Sequence, residues 1–168
     1  GEHYEGEWES DMKHGVGEMG FINGDYYKGE WKQDMMSGDG QMVYANGENY
    51  KGYWVNNLKE GQGTYLYQNG EKYDGIWSND VRSGEGIYKY NNGDIYEGNW
   101  ADGIKEGYGI YKYSKGDFYE GEWEYDLKMG EGILKYANGD EYNGGWQNNL
   151  KTGQGKMTYA NGDEYNGG

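Results

Sequence analysis

Few side chains in this 168-residue chain are suited to chemistry: 30 Asp and Glu, two His and no Cys. Hydroxyl nucleophiles need a histidine and an orienting carboxylate in a buried, rigid site. The imidazoles, His3 and His14, both stand close to the N-terminal end. The carboxylates name no acid–base pair, because an acidic chain carries many of them on any surface. Without Cys there is neither a thiolate metal site nor a disulfide, which fits a reducing compartment. Two patterns do suggest ligands. Gly15-Val16-Gly17-Glu18-Met19-Gly20 has the glycine spacing of a dinucleotide loop, but such a loop must follow a strand and open a helix. A carboxylate also follows a glycine at Asp25, Glu48, Glu71, Asp94, Asp117, Asp140 and Asp163. That ladder could hold calcium only if neighbouring members shared an ion.

The elements that would position these residues come from a repeat. Tyr-x-Gly-x-Trp recurs every 23 residues, from Tyr4-Gly6-Trp8 to Tyr142-Gly144-Trp146, and an eighth copy begins at Tyr165-Gly167. Between copies lies Gly-x-Gly, from Gly15/Gly17 to Gly153/Gly155. A fixed period of this size means stacked units. In the fourth unit, residues 71–77 and 84–90 alternate with period two and read as strands. The polar residues Ser78 to Ser83 between them read as a six-residue loop that places Trp77 opposite Gly84. Asn91-Asn92-Gly93 reads as a three-residue hairpin loop, with Gly in the left-handed region.

Extended along the chain, this register gives 15 antiparallel strands in sequential order. One row is glycine in every strand, with Tyr on one side and Trp alternating with Gly on the other. The fold class is all-β: a single elongated, twisted and curved antiparallel sheet of 23-residue hairpin repeats with a concave aromatic groove. Glycine normally weakens a strand. Here the row Gly52, Gly63, Gly75, Gly86, Gly98, Gly109, Gly121 and Gly132 leaves room for rings to fold down over the backbone. The candidate ligand motifs dissolve in the same register. The third glycine of the dinucleotide pattern is replaced in other units by residues such as Val43 and Leu66. Equivalent carboxylates lie two strands apart, roughly 9–10 Å, whereas calcium holds its oxygens at about 2.3–2.6 Å. Solvated or turn-bonding carboxylates are expected instead. No metal, cofactor or enzyme activity is expected of this segment.

Composition alone would suggest disorder, because aliphatic residues are scarce and the net charge is −15. The 21 Tyr, 7 Trp and 2 Phe point the other way, since each ring buries a large area at a fixed position. No run approaches the ~20 apolar residues of a membrane span. The acidic balance disfavours nucleic acid and anionic lipid, both polyanions. Residues 1–168 read as one continuous array of about seven repeats whose ends fall inside repeats, as in a piece of a longer protein.

Tyr-x-Gly-x-Trp, Gly-x-Gly and an Asn-Gly turn in each unit resemble the MORN (membrane occupation and recognition nexus) repeat, over essentially the whole chain. The resemblance implies an elongated antiparallel sheet with a groove. It also implies repeats without chemistry of their own, found in cytoskeletal and ciliary scaffolds, at membrane junctions and beside catalytic domains. The family's basic residue before Gly-x-Gly stands here only as His14; Ser37, Glu60, Ser83, Glu106, Met129 and Thr152 occupy the other units. That departure counts against lipid binding.

The expected function is a non-enzymatic protein-binding scaffold or adaptor in the cytoplasm, in a cytoskeletal or ciliary assembly. Its groove would hold a helical or extended, basic or amphipathic segment of a partner protein. Tyr50, Trp54, Tyr73, Trp77, Tyr96, Trp100, Tyr119 and Trp123 are the expected contact residues, because Tyr and Trp dominate contact hot spots. A second contact face is marked by Ile76, Ile87, Ile95, Tyr108, Ile110, Phe118 and Ile133 on the other side of the sheet. There β-propensity competes with an interface as the explanation. A phospholipid-proximal tethering module and a regulatory array joined to a catalytic domain are the alternatives. The array ends leave strand edges through which copies could pair.

Overall fold

The computed structural model describes residues 1–167. It is all-β, with no helix among the described residues, and its fifteen strands follow one another in a single antiparallel sheet in chain order. The chain forms two compact units, residues 1–83 and residues 84 onward. The first holds β1 (His3–Glu9), β2 (Met12–Gly20), β3 (Tyr26–Lys32), β4 (Met35–Val43), β5 (Asn49–Val55), β6 (Leu58–Leu66) and β7 (Lys72–Ser78), and β8 (Val81–Lys89) leads out of it. The second holds β9 (Ile95–Ala101), β10 (Ile104–Lys112), β11 (Phe118–Glu124), β12 (Leu127–Lys135), β13 (Glu141–Gln147), β14 (Leu150–Thr158) and β15 (Glu164–Gly167).

The three-residue loops are as expected. In Asn91-Asn92-Gly93, the Tyr90 N–H donates to Asp94 O at 2.9 Å and the Gly93 N–H to Tyr90 O at 3.1 Å. Gly93 sits at φ 89°, the left-handed conformation that closes such a loop. Asn92 Oδ1 accepts the Asp94 N–H at 3.0 Å, fixing the turn from its own side chain.

The expected six-residue loop at 78–83 is replaced by a two-residue turn. Asn79 and Asp80 have φ 48° and 69°, the paired positive values of a type I′ hairpin. Ser10-Asp11, Gln33-Asp34, Asn56-Asn57, Tyr125-Asp126 and Asn148-Asn149 repeat it. The residues freed from the loop lengthen the following strand. A bulge then absorbs the surplus, for the register passes from Gly29↔Gly40 to Glu30↔Ser37, with Gly38 at φ 62°. Tryptophan therefore does not alternate with glycine on both sides. Trp54 faces Gly38 on one neighbour but Lys59 across the tight hairpin, and Trp123 faces Gly107 and Lys128. A type I′ turn matches the twist of the strands it joins, whereas a long loop would leave the backbone groups of four residues per repeat unpaired.

The glycine row is present within each unit. Gly6, Gly17, Gly29, Gly40, Gly52, Gly63 and Gly75 pair in sequence in the first. Gly86, Gly98, Gly109, Gly121, Gly132, Gly144, Gly155 and Gly167 do so in the second. The row makes room for tyrosine. A Cβ on Gly109 would stand 2.6 Å from Cε2 and Cζ of Tyr96, well inside contact distance. Folded over the glycines, the tyrosine hydroxyl reaches a carbonyl three residues on: Tyr50 donates to Tyr53 O at 3.1 Å and Tyr96 to Asn99 O at 2.9 Å. From Trp31 onward each indole reaches a glycine carbonyl 14 residues back, as Trp54 to Gly40 at 3.3 Å and Trp123 to Gly109 at 3.2 Å. Polar atoms and rings are thus buried together without an unmet hydrogen bond.

Candidate protein-binding face

The eight expected contact residues are the interior of the array. Tyr50, Tyr73, Tyr96 and Tyr119 are 0 % exposed, and Trp54, Trp77, Trp100 and Trp123 only 2–5 %. They interlock edge to face. Tyr50 lies between Trp54 and Trp77 at centroid distances of 5.1 and 5.5 Å, and Tyr96 between Trp100 and Trp123 at 5.2 and 5.3 Å. A single layer of sheet has no second layer to bury against, so the most apolar side chains cover one another instead. Burial pushes the hydroxyls of Tyr50, Tyr73, Tyr96 and Tyr119 far above the usual phenol range.

Above this layer lies a row of tyrosines absent from the expected contact residues, although it too has a 23-residue period: Tyr44, Tyr67, Tyr90, Tyr113 and Tyr136. Each directly follows the end of a strand, just before a three-residue loop, and each is half-buried. Tyr67 packs on Tyr65 and Tyr113 on Tyr111, both at 4.6 Å between centroids. Burial raises the Tyr44 hydroxyl to about 12, and those of Tyr67 and Tyr113 in the same direction. The sequence signal for this row is the residue three before each turn glycine.

Cations stand between the two layers. Lys59 Nζ lies 5.7 Å from the Tyr50 ring, 5.5 Å from Tyr65 and 5.4 Å from Trp77. Lys105 Nζ lies 5.7 Å from Tyr96 and 4.9 Å from Trp123, and Lys13 Nζ 5.0 Å from Trp31. These are cation–π distances. The same lysines are held from the next repeat. Asp80 Oδ1 accepts the Lys59 N–H at 2.9 Å and lies 3.2 Å from its ammonium. Lys13 with Asp34 and Lys105 with Asp126 repeat the arrangement. The turn residue that supplies the carboxylate lies 21 positions along the chain, a separation invisible to local pattern reading.

The carboxylate ladder after the turn glycines has a structural task, as expected. Asp25 Oδ1 accepts the Ala45 N–H at 2.9 Å, Asp94 Oδ1 the Ser114 N–H at 2.8 Å, and Asp117 Oδ1 the Ala137 N–H at 2.8 Å. Each of these ladder residues thus ties its turn to the next. Burial alone would raise the Asp94 carboxyl, but hydrogen bonds from Ser114, Tyr111 and Asn92 outweigh it and hold the group below the ordinary range. No cluster of three or more metal-ligating side chains occurs among the described residues.

On the opposite face, Ile76, Ile87, Ile95, Ile110, Phe118 and Ile133 are half-exposed and Tyr108 is 53 % exposed. Ile87, Ile110 and Ile133 do not touch along the sheet, because the register interleaves Glu97 and Glu120 between them. Those glutamates are engaged by Lys112 at 3.1 Å and by the Tyr108 hydroxyl at 2.8 Å.

A stack of tight hairpins with tyrosine over glycine defines a class of repeat scaffold, and the match is direct. The MORN repeat family covers residues 4–26, 27–48, 50–72, 73–95, 96–118, 119–141 and 142–164, so the chain belongs to it. No curated protein matches the chain. Among solved structures, the SAS-4 (dCPAP) TCP domain of Drosophila melanogaster, in complex with a proline-rich motif of Ana2 (dSTIL), is similar at TM-score 0.58 and 17% identity, over 92% of this chain and 84% of that one. The TCP10c domain of Drosophila melanogaster Sas-4 gives 0.52 and 16%, over 90% and 91%. The G-box domain of the microcephaly protein CPAP, for which a role in centriole elongation has been suggested, gives 0.53 and 12%, over 90% and 85%. At these identities the likeness is one of fold.

Proposed function

We propose that this chain is a non-enzymatic protein-binding scaffold that holds an extended segment of a partner along the outer tyrosines of one of its two units. The carrying observation is that these tyrosines, Tyr44 and Tyr67 in the first unit and Tyr90, Tyr113 and Tyr136 in the second, repeat at one spacing, half-exposed and backed by a buried layer. Tyrosine presents a large amphipathic surface at low entropic cost, and a preorganised row loses little more on binding. The eight buried Tyr and Trp residues act by supporting that surface. A peptide held by a domain of similar fold, the Ana2 proline-rich motif on SAS-4, supports an extended occupant. The net charge of −15 favours a segment with basic flanks. The suggested role of the CPAP G-box domain in centriole elongation supports a cytoskeletal setting. Lipid binding is the weaker reading, because Lys13, Lys59 and Lys105 already face Asp34, Asp80 and Asp126.

Proximity labelling of the full-length protein, followed by affinity measurements with Tyr67→Ser and Tyr113→Ser, tests this. Affinity for the captured partner is expected to fall by at least ~2 kcal/mol, the scale of a hot-spot loss, with the melting curve nearly unchanged. Normal binding by both variants, together with loss of binding in Ile87→Asp or Ile110→Asp, would move the site to the other face.

A further inference from the structure

Lys128 breaks a pairing kept by other caged lysines. At this register Lys13, Met36, Lys59, Lys105 and Lys128 each donate the backbone N–H to a side-chain oxygen 21 positions on. Three of these lysines meet carboxylates there: Lys13 meets Asp34, Lys59 meets Asp80 and Lys105 meets Asp126. The uncharged Met36 meets a neutral amide, Asn57. Lys128 combines the charge of the first group with the neutral partner of the second, since Asn149 Oδ1 accepts its N–H at 2.9 Å.

The side chain is 9 % exposed, and its ammonium lies 5.2 Å from the Tyr113 ring, 4.9 Å from Tyr119 and 5.0 Å from Trp146. No buried side-chain nitrogen or oxygen among the described residues lacks a hydrogen-bond partner. The Lys128 ammonium, which donates to no protein oxygen, therefore keeps an edge open to solvent. Burial, with Lys105 acting in the same direction, works against its charge, while Asp117 favours it from beyond ion-pair distance. A desolvated charge without a partner is unfavourable, and Met36 shows that the array accommodates an apolar side chain at this register.

We propose that Lys128 anchors a carboxylate of the bound segment, an Asp or Glu side chain, beside the half-exposed ring of Tyr113. This rests on the reading that the aromatic face binds polypeptide. A single ammonium beside the paired Lys105 suits a monoanion. Phosphate groups are usually gripped by several donors, and one ammonium offers too few.

The test begins without the partner. N-acetyl-glutamate amide is titrated into the protein while the side-chain resonances of Lys128 and Lys59 are followed by NMR. A saturable shift at Lys128, absent at Lys59 and absent with N-acetyl-glutamine amide, is expected. Lys128→Met should remove the response. Asn149→Asp should also suppress it, by giving Lys128 the internal carboxylate that its counterparts have, and thermal melts check that both variants fold. Equal shifts with the glutamine compound, an undiminished response in Asn149→Asp, or a response to methyl phosphate alone would overturn the proposal. With the captured partner, Lys128→Met should weaken binding by about tenfold, the scale of one hydrogen bond to a charged group. If Tyr113→Ser loses the partner but Lys128 ignores the glutamate compound, the anchor fails and the binding face stands. If Lys128 responds but Tyr113→Ser binds normally, the anion site stands and the face fails.

Discussion

The Tyr96 ring occupies the space that a side chain on Gly109 would need, and its hydroxyl closes onto Asn99 O at 2.9 Å. Gly98, opposite Gly109 in the ladder, is confined differently. A Cβ there would stand 2.5 Å from Gly109 Cα and 2.7 Å from Tyr108 O, both backbone atoms, as well as 2.7 Å from the Tyr96 hydroxyl.

The two glycines should therefore respond differently to rescue. Gly98→Ala and Gly109→Ala are each expected to cost more than the usual ~1 kcal/mol of a point mutation. Tyr96→Ala should recover part of the loss at Gly109, because the nearest obstructing atoms there all belong to its side chain, and less at Gly98, where the backbone clash remains. Urea melts of the single and double variants give the coupling energy directly. Equal rescue at both positions would refute the distinction.

The type I′ turns offer a stabilising substitution. Tyr125 has φ 50° and is 71% exposed, whereas Asn56, Asn79 and Asn148 hold the equivalent turn position. A left-handed backbone is strained for a bulky residue and tolerated by Asn. Tyr125→Asn should raise stability by about 0.5–1 kcal/mol, read as a higher melting temperature.

Asp94 joins two repeats through Ser114 N at 2.8 Å and Tyr111 Oη at 2.8 Å. Its carboxyl is held below the usual range, so its contribution is present above the ordinary pKa of 3.8 and is lost as pH falls through the lower native value. Asp94→Ala should cost about 1–3 kcal/mol at neutral pH, the penalty of leaving buried donors unmet. The difference from the parent should shrink in acid.

Alkaline pH should unfold the array. Burial lifts Tyr27, Tyr50, Tyr73, Tyr96 and Tyr119 above the ordinary phenol value of 10.0, so the folded state keeps protons that the unfolded state releases. Their contribution is complete below that value and lost as pH rises beyond it. Lys128 has the opposite sign. Burial lowers it to about 8 from 10.5, so its penalty is full below pH 8 and relieved between the two values. Lys128→Met should accordingly gain most over the parent near neutral pH and lose that advantage by about pH 10.5. Phenolate absorbance and circular dichroism followed across the range separate the two effects.

Much of the fold is legible in the sequence because its signals are local. A glycine fixed three residues after Tyr90 closes a loop whose geometry only glycine takes easily, and alternation around it sets which side chains share a face. The identity of the aromatic face and the glycine row follow from those facts alone. The tight hairpins are hidden because Asn79-Asp80 and Tyr125-Asp126 lack the glycine that usually announces them, and the compensating bulge at Gly38 leaves the parity of the strands intact.

Tertiary structure decided which aromatics are reachable. Tyr96 and Tyr113 are the same residue type in the same array, but one is sealed at 0 % exposure and the other is half open. The difference arises because a one-layer sheet must bury its own rings under those of the next repeat, as Tyr96 lies against Trp123. The pairing of Lys59 with Asp80, and its absence at Lys128, likewise depend on contacts between successive repeats. Periodicity determines that every repeat is built alike. Only packing determines where one repeat's charge meets the next.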